Sequence, residues 1–133
     1  MNYFRAMQAD PDGLPLVCRS SRALGVRIPA DICPSNGTVH PETGGMSVAP
    51  GSIWNVPHHR RPRGLGRGST GPIDDRIFSI TGSAVVECDL TVRPDPAASD
   101  RHAFVEPART TSLERYELAL ASTRLLWQWA RSE

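Results

Sequence analysis

The chain has 133 residues and a formal charge of +1, with 39% apolar and 22% charged residues, 11 glycines and 12 prolines. That length holds one core, so one domain over 1–133 is predicted, and the prolines, barred from helix interiors and central strands, predict long irregular connections. Near-neutral charge gives no global case for a nucleic-acid or membrane partner, and no run approaches the ~20 apolar residues of a membrane span.

The amino terminus lacks the charged-then-apolar layout of a secretory signal, which sets the expectation of a soluble, cytosolic protein. Cys18, Cys33 and Cys88 are far apart, without C-x-x-C or zinc-finger Cys/His spacing, so reduced, mostly packed thiols and no metal site are expected. All 15 basic residues are arginine, and they are unevenly placed.

In Asn2-Tyr3-Phe4-Arg5-Ala6 a period of two puts Tyr3 and Arg5 on one face and Phe4 and Ala6 on the other, which predicts a first strand. The planar fork of Arg5, beside an aromatic and near the core, suits a phosphate or carboxylate; the same pattern also fits a surface arginine. Asp10-Pro11-Asp12-Gly13 is a turn signal, Leu14 to Cys18 reads as a short strand, and Ser20 to Gly25 as one turn of helix. Pro29 to Pro41 is mostly connection.

The stretch Thr43-Gly44-Gly45-Met46-Ser47-Val48-Ala49-Pro50 has the build of a backbone-lined ligand edge. Paired glycines let main chain take positive φ and approach a ligand with no Cβ in the way, and Ser47 offers a donor and an acceptor at the mouth of the next strand. Gly-Gly before a strand is also the pattern of a plain turn. Trp54 to Gly71 then carries His58, His59, Arg60, Arg61, Arg63 and Arg67 among glycines. It is a basic loop, suited either to solvent or to an electropositive lip over an anionic ligand. Its glycines form neither a dinucleotide fingerprint nor a P-loop.

Ile73 to Ile80 predicts a strand, and Val86 to Val92 another, half-buried, because Val86, Cys88, Leu90 and Val92 alternate with polar residues. His102 to Glu106 is the last strand, with His102, Phe104 and Glu106 on one face; Glu106 stands at the strand end, as a functional carboxylate or a polar terminus. Thr111 and Glu114 form a capping box for a helix to about Ala130, nearly 30 Å long. Leu113, Tyr116, Leu120, Trp127 and Ala130 make one apolar stripe of it, and Leu118, Ala121 and Leu125 a second. The sum is an α+β fold, a twisted, mainly antiparallel sheet of about six to eight short strands split toward two sheets, under a long C-terminal helix.

Three ordered segments, Tyr3-Phe4-Arg5-Ala6, Val39-His40-Pro41-Glu42-Thr43-Gly44-Gly45-Met46-Ser47-Val48 and His102-Ala103-Phe104-Val105-Glu106-Pro107-Ala108, resemble the Tse-two type of bacterial toxin, a family named for a type VI secretion effector. The resemblance implies an ADP-ribosyltransferase-like fold, NAD as substrate, action in the cytoplasm of the producing or target cell, and an immunity or antitoxin partner. The arginine, serine, glutamate layout of such transferases carries over to Arg5, Ser47 and Glu106. It further implies an NAD-binding edge of Tyr3, Arg5, Gly44, Gly45, Met46 and Ser47, with Arg60 from the basic loop. In that scheme Glu106 stabilises an oxocarbenium-like state, Arg5 holds pyrophosphate and Ser47 orients the nicotinamide ribose. The alternatives are a plain NAD glycohydrolase, or a non-enzymatic domain that lays Arg60, Arg61, Arg63 and Arg67 on RNA or an acidic protein.

Overall fold

The computed structural model describes residues 1–131. Among them, strands β1 (Asn2–Met7), β3 (Met46–Pro50), β4 (Arg76–Thr81), β5 (Leu90–Pro94), β6 (Ala103–Pro107) and β8 (Gln128–Trp129) form one sheet in the order β5-β6-β3-β1-β4-β8. The short strands β2 (Thr38–Val39) and β7 (Thr111–Ser112) pair separately. Ladders between these strands are antiparallel. With helices α1 (Gly82–Glu87) and α2 (Leu113–Ser122), the fold is α+β, mainly antiparallel, with a helix toward the carboxyl end.

β1 is the strand on which the sheet turns. It pairs with β4 from Asn2↔Thr81 to Met7↔Arg76, yet with β3 only at Tyr3↔Pro50 and Phe4↔Ala49. The sheet is therefore nearly divided between β1 and β3. The period-two reading of β1 holds, because Phe4 and Ala6 pack with Ala49, Ile53, Val56 and Ile77 in one cluster. Met7 joins Val48, Phe78 and Ile80 in the larger core of the other face, which continues through Val105, Tyr116, Leu120 and Trp127. Each large apolar side chain buried there stabilises the fold by about 1.5–3 kcal/mol.

Several sequence expectations fail, each for a local reason. The alternation from Val86 to Val92 is a strand only from Leu90 onward. Thr81 instead caps α1, its hydroxyl accepting the Ala84 amide at 3.2 Å, and the helix buries Val85 while leaving Val86 63% exposed. Asp89, at a φ of 61°, then turns the chain into β5. Leu14 to Cys18 holds only isolated bridges, Ala9↔Pro15 and Val17↔Leu24, and Ser20 to Gly25 forms turns without a helix.

The long C-terminal helix is also corrected. α2 has 10 residues and ends at Ser122, about 15 Å at the helical rise. Its cap is Ser112, whose hydroxyl accepts the Arg115 amide, rather than Thr111. Thr123 closes it by donating its hydroxyl to the Leu120 carbonyl and accepting Trp127 Nε1. The chain then passes through a short 3-10 turn, Arg124–Leu126, into β8, which pairs with β4 at Phe78↔Trp129. Tyr116, Leu120 and Trp127 are buried as the first stripe predicts, but Leu118 and Leu125 of the second are 69% and 77% exposed. The thiols of Cys18 and Cys33 are exposed rather than packed.

Candidate functional site

Beside the narrow β1–β3 joint lies a cavity of about 780 Å³. Phe4, Arg5 and Ala6 of β1 and Ser47, Val48 and Ala49 of β3 contribute its strand side. The segment from Trp54 to Arg61, with Arg67, overhangs it. Ala98, Arg101 and His102, from the β5–β6 hairpin, and Ser21, Arg27 and Asp31, from the irregular connection before β2, complete the lining. Asp31, the acidic member of this lining, is neutralised by Arg27, which bonds its carboxylate at 2.9 Å. The lining is thus basic, as an anionic ligand requires.

Arg5 and Ser47 do meet, but through backbone. Past Phe4↔Ala49 the ladder stops, and Arg5 Nη1 donates to the Ser47 carbonyl at 2.8 Å. Nε reaches the Ala23 carbonyl at 3.0 Å, and Nη2 is shared among the carbonyls of Ser20, Ala23 and Gly25. The residue is 7% exposed, and burial pulls the guanidinium down to about 10, so it stays cationic at neutral pH. Its fork is committed to four main-chain carbonyls, three in the loop from Ser20 to Gly25 and one at Ser47, which corrects the expectation of a bidentate phosphate clamp. The side chain ties the loop from Ser20 to Gly25 onto the divided joint.

Gly44 and Gly45 sit where no Cβ fits, at φ of 126° and 150°. A Cβ on Gly44 would stand 2.2 Å from the Asp31 carbonyl oxygen, and one on Gly45 2.6 Å from that of Val105. The close approach is therefore to this chain's own backbone, not to a ligand. Gly44→Ala is expected to lower stability by about 1–3 kcal/mol in a denaturant titration, through left-handed strain and displacement of Asp31. Met46 is core, its amide bonded to the Tyr116 hydroxyl, and Tyr3 packs on the same core. Neither lines the cavity; Ser47 does.

Glu106 is placed differently from the expectation. It is 3% exposed, and Oε2 accepts both Arg93 Nε and the Glu42 amide at 2.9 Å. It does not line the cavity. Along β6 the row is His102, Phe104, Glu106, with Phe104 opposite Ser47 and covered by the Arg93 guanidinium at 4.7 Å. The histidine end of the row opens on the cavity, and the glutamate end is sealed under Arg93.

The basic loop divides by role. Arg61 is 8% exposed and spends its donors on Ser69 and on the carbonyls of Trp54, Val56 and Arg67. The guanidinium groups of Arg61 and Arg67 lie 5.3 and 4.2 Å from the Trp54 ring centre. Arg60 faces the cavity and bonds the Ser21 hydroxyl; Arg63 is exposed and outside the lining. Sequence reasoning missed Arg27, Asp31 and Arg101 as lining residues, since each comes from an irregular connection with no periodic signal.

His102 was legible only as a strand residue. Its Nδ1 lies 2.7 Å from Asp95 Oδ2, and its ring meets Phe104 edge-on at 4.7 Å. Asp95 is held below the usual carboxylate range, first by that histidine and then by the Ala97 amide, so it stays ionised. No family model, curated protein or solved structure matches the chain.

Proposed function

We propose that the cavity binds NAD and that the protein is a toxin of the ADP-ribosyltransferase class, with the fold that the ordered motifs imply. The observation that carries this is the basic cavity at the divided β1–β3 joint, bordered by Ser47 of the Thr43 to Pro50 motif. Its volume falls within the roughly 300–1,000 Å³ of small-molecule sites. Arg60, Arg67 and Arg101 supply charge for a pyrophosphate, and Arg5 acts beneath them by fixing the Ser47 carbonyl. The reading keeps cytoplasmic action and a protective immunity or antitoxin partner.

Calorimetry with NAD and chromatography of released nicotinamide, with and without target-cell extract, test it. Binding in the micromolar to millimolar range with nicotinamide release supports the proposal, and absence of both rejects it. The sealed position of Glu106 favours a second reading of the chemistry, in which NAD is held without the glutamate mechanism. A catalytic carboxylate loses ~10²-fold or more in turnover when its charge is removed. Glu106→Gln, which keeps acceptors for Arg93 and the Glu42 amide, is here expected to lose less than about tenfold. A ~10²-fold loss with NAD affinity kept would restore Glu106 to the mechanism.

A further inference from the structure

We propose that His102, oriented by Asp95, is the general base of the cavity, taking the proton of the nucleophile that attacks the ribose carbon. This rests on the NAD reading above. Three observations converge on it. His102 lines the cavity while Asp95 does not, so the bond from Nδ1 to Asp95 turns that edge of the ring away and leaves Nε2 without a partner among the described residues. A carboxylate on Nδ1 fixes the tautomer with Nε2 unprotonated and stabilises the imidazolium once the proton arrives.

The pair is also built rather than incidental. Asp95 N donates to the His102 carbonyl at 3.0 Å, His102 N to the Ala98 carbonyl at 2.8 Å, and Asp95 Oδ1 accepts the Ala97 amide. Asn55 pins the same hairpin to the cavity wall through the Asp100 carbonyl. Finally, the other histidines of the lining lack such a holder. His58 and His59 line the cavity but pack edge-on against each other, with no carboxylate partner among the described residues.

The proton balance assigns a single base. The bond from the ribose C1′ to nicotinamide breaks with its electron pair passing to the ring nitrogen, so nicotinamide leaves neutral and needs no acid. A hydroxyl of the acceptor, or water in the hydrolytic reaction, forms the new C1′–O bond. Its proton passes to His102 Nε2 and from there to solvent, with Asp95 balancing the transient imidazolium charge.

The test is NAD affinity and nicotinamide release measured on wild type, His102→Ala and Asp95→Asn. Affinity is expected to stay within about threefold, while release falls ~10²-fold in His102→Ala and at least about tenfold in Asp95→Asn. Added imidazole is expected to restore part of the His102→Ala rate, which no structural role would allow. Should His102→Ala fail to fold, Asp95→Asn carries the test, because asparagine keeps the acceptor for Ala97. Release at the wild-type rate in a folded variant overturns the assignment alone, as does loss of NAD affinity in place of turnover. A wild type that neither binds nor cleaves NAD overturns the cavity reading and this assignment together.

Discussion

Arg5→Met is expected to lower the melting temperature by roughly 10 °C or more, and not merely to weaken ligand binding. The carbonyls of Ser20, Ala23, Gly25 and Ser47 would lose a charged donor that lies among them, 7% exposed. Bonds to charged groups are worth about 1.5–3 kcal/mol each, and a buried acceptor left unpaired costs about 1–3 kcal/mol. Even with partial relaxation, a loss of about 3 kcal/mol or more is expected, a large part of the ~5–15 kcal/mol of a typical domain. Arg5→Lys should fall between, since a single ammonium cannot reach three directions as the planar fork does. Thermal melts by circular dichroism decide it. If Arg5→Met melts within about 2 °C of wild type yet loses NAD affinity, the guanidinium serves a ligand and the structural account of it is wrong.

The way Arg5 misleads in the sequence shows which information a linear reading carries. Alternation placed Arg5 on the correct face of β1, because strand parity is local and the pairing with β4 is continuous. What the guanidinium touches depends on Ser20, Ala23 and Gly25, in a segment with no regular structure and so no pattern to read. The same holds for β6. Its position, to within one residue at each end, and the shared face of His102, Phe104 and Glu106 were legible, but the sealing of Glu106 by Arg93 needs the β5–β6 register, Arg93↔Phe104. The two helical misreadings have a different origin. Val86, Cys88, Leu90 and Val92 satisfy a period of two, but the hydroxyl of Thr81 supplies a helix cap that the alternation conceals. After Ser122, Trp127 and Trp129 are claimed by the core and by β4, and tertiary pairing overrides a helical stripe that continues in the sequence.

Arg61→Met is the companion test at the cavity rim, and it separates the NAD reading from the RNA or acidic-protein alternative. Arg61 holds the carbonyls of Trp54, Val56 and Arg67 together and stacks beneath Trp54, so the overhang of the cavity depends on one buried side chain. Its removal is expected to open residues 54–71 to protease and to cut NAD affinity at least tenfold, with a smaller fall in melting temperature than Arg5→Met, because the overhang can open locally while the sheet stays folded. Arg63→Met gives the opposite pattern. Arg63 is exposed and outside the lining, so NAD affinity and release should not change. If instead the loop contacts RNA phosphates, Arg63→Met should weaken RNA binding and reduce the salt slope by about 1, whereas NAD binding responds little to salt. An Arg61→Met variant with intact loop protection and unchanged NAD affinity would show that the overhang neither needs this arginine nor forms the site.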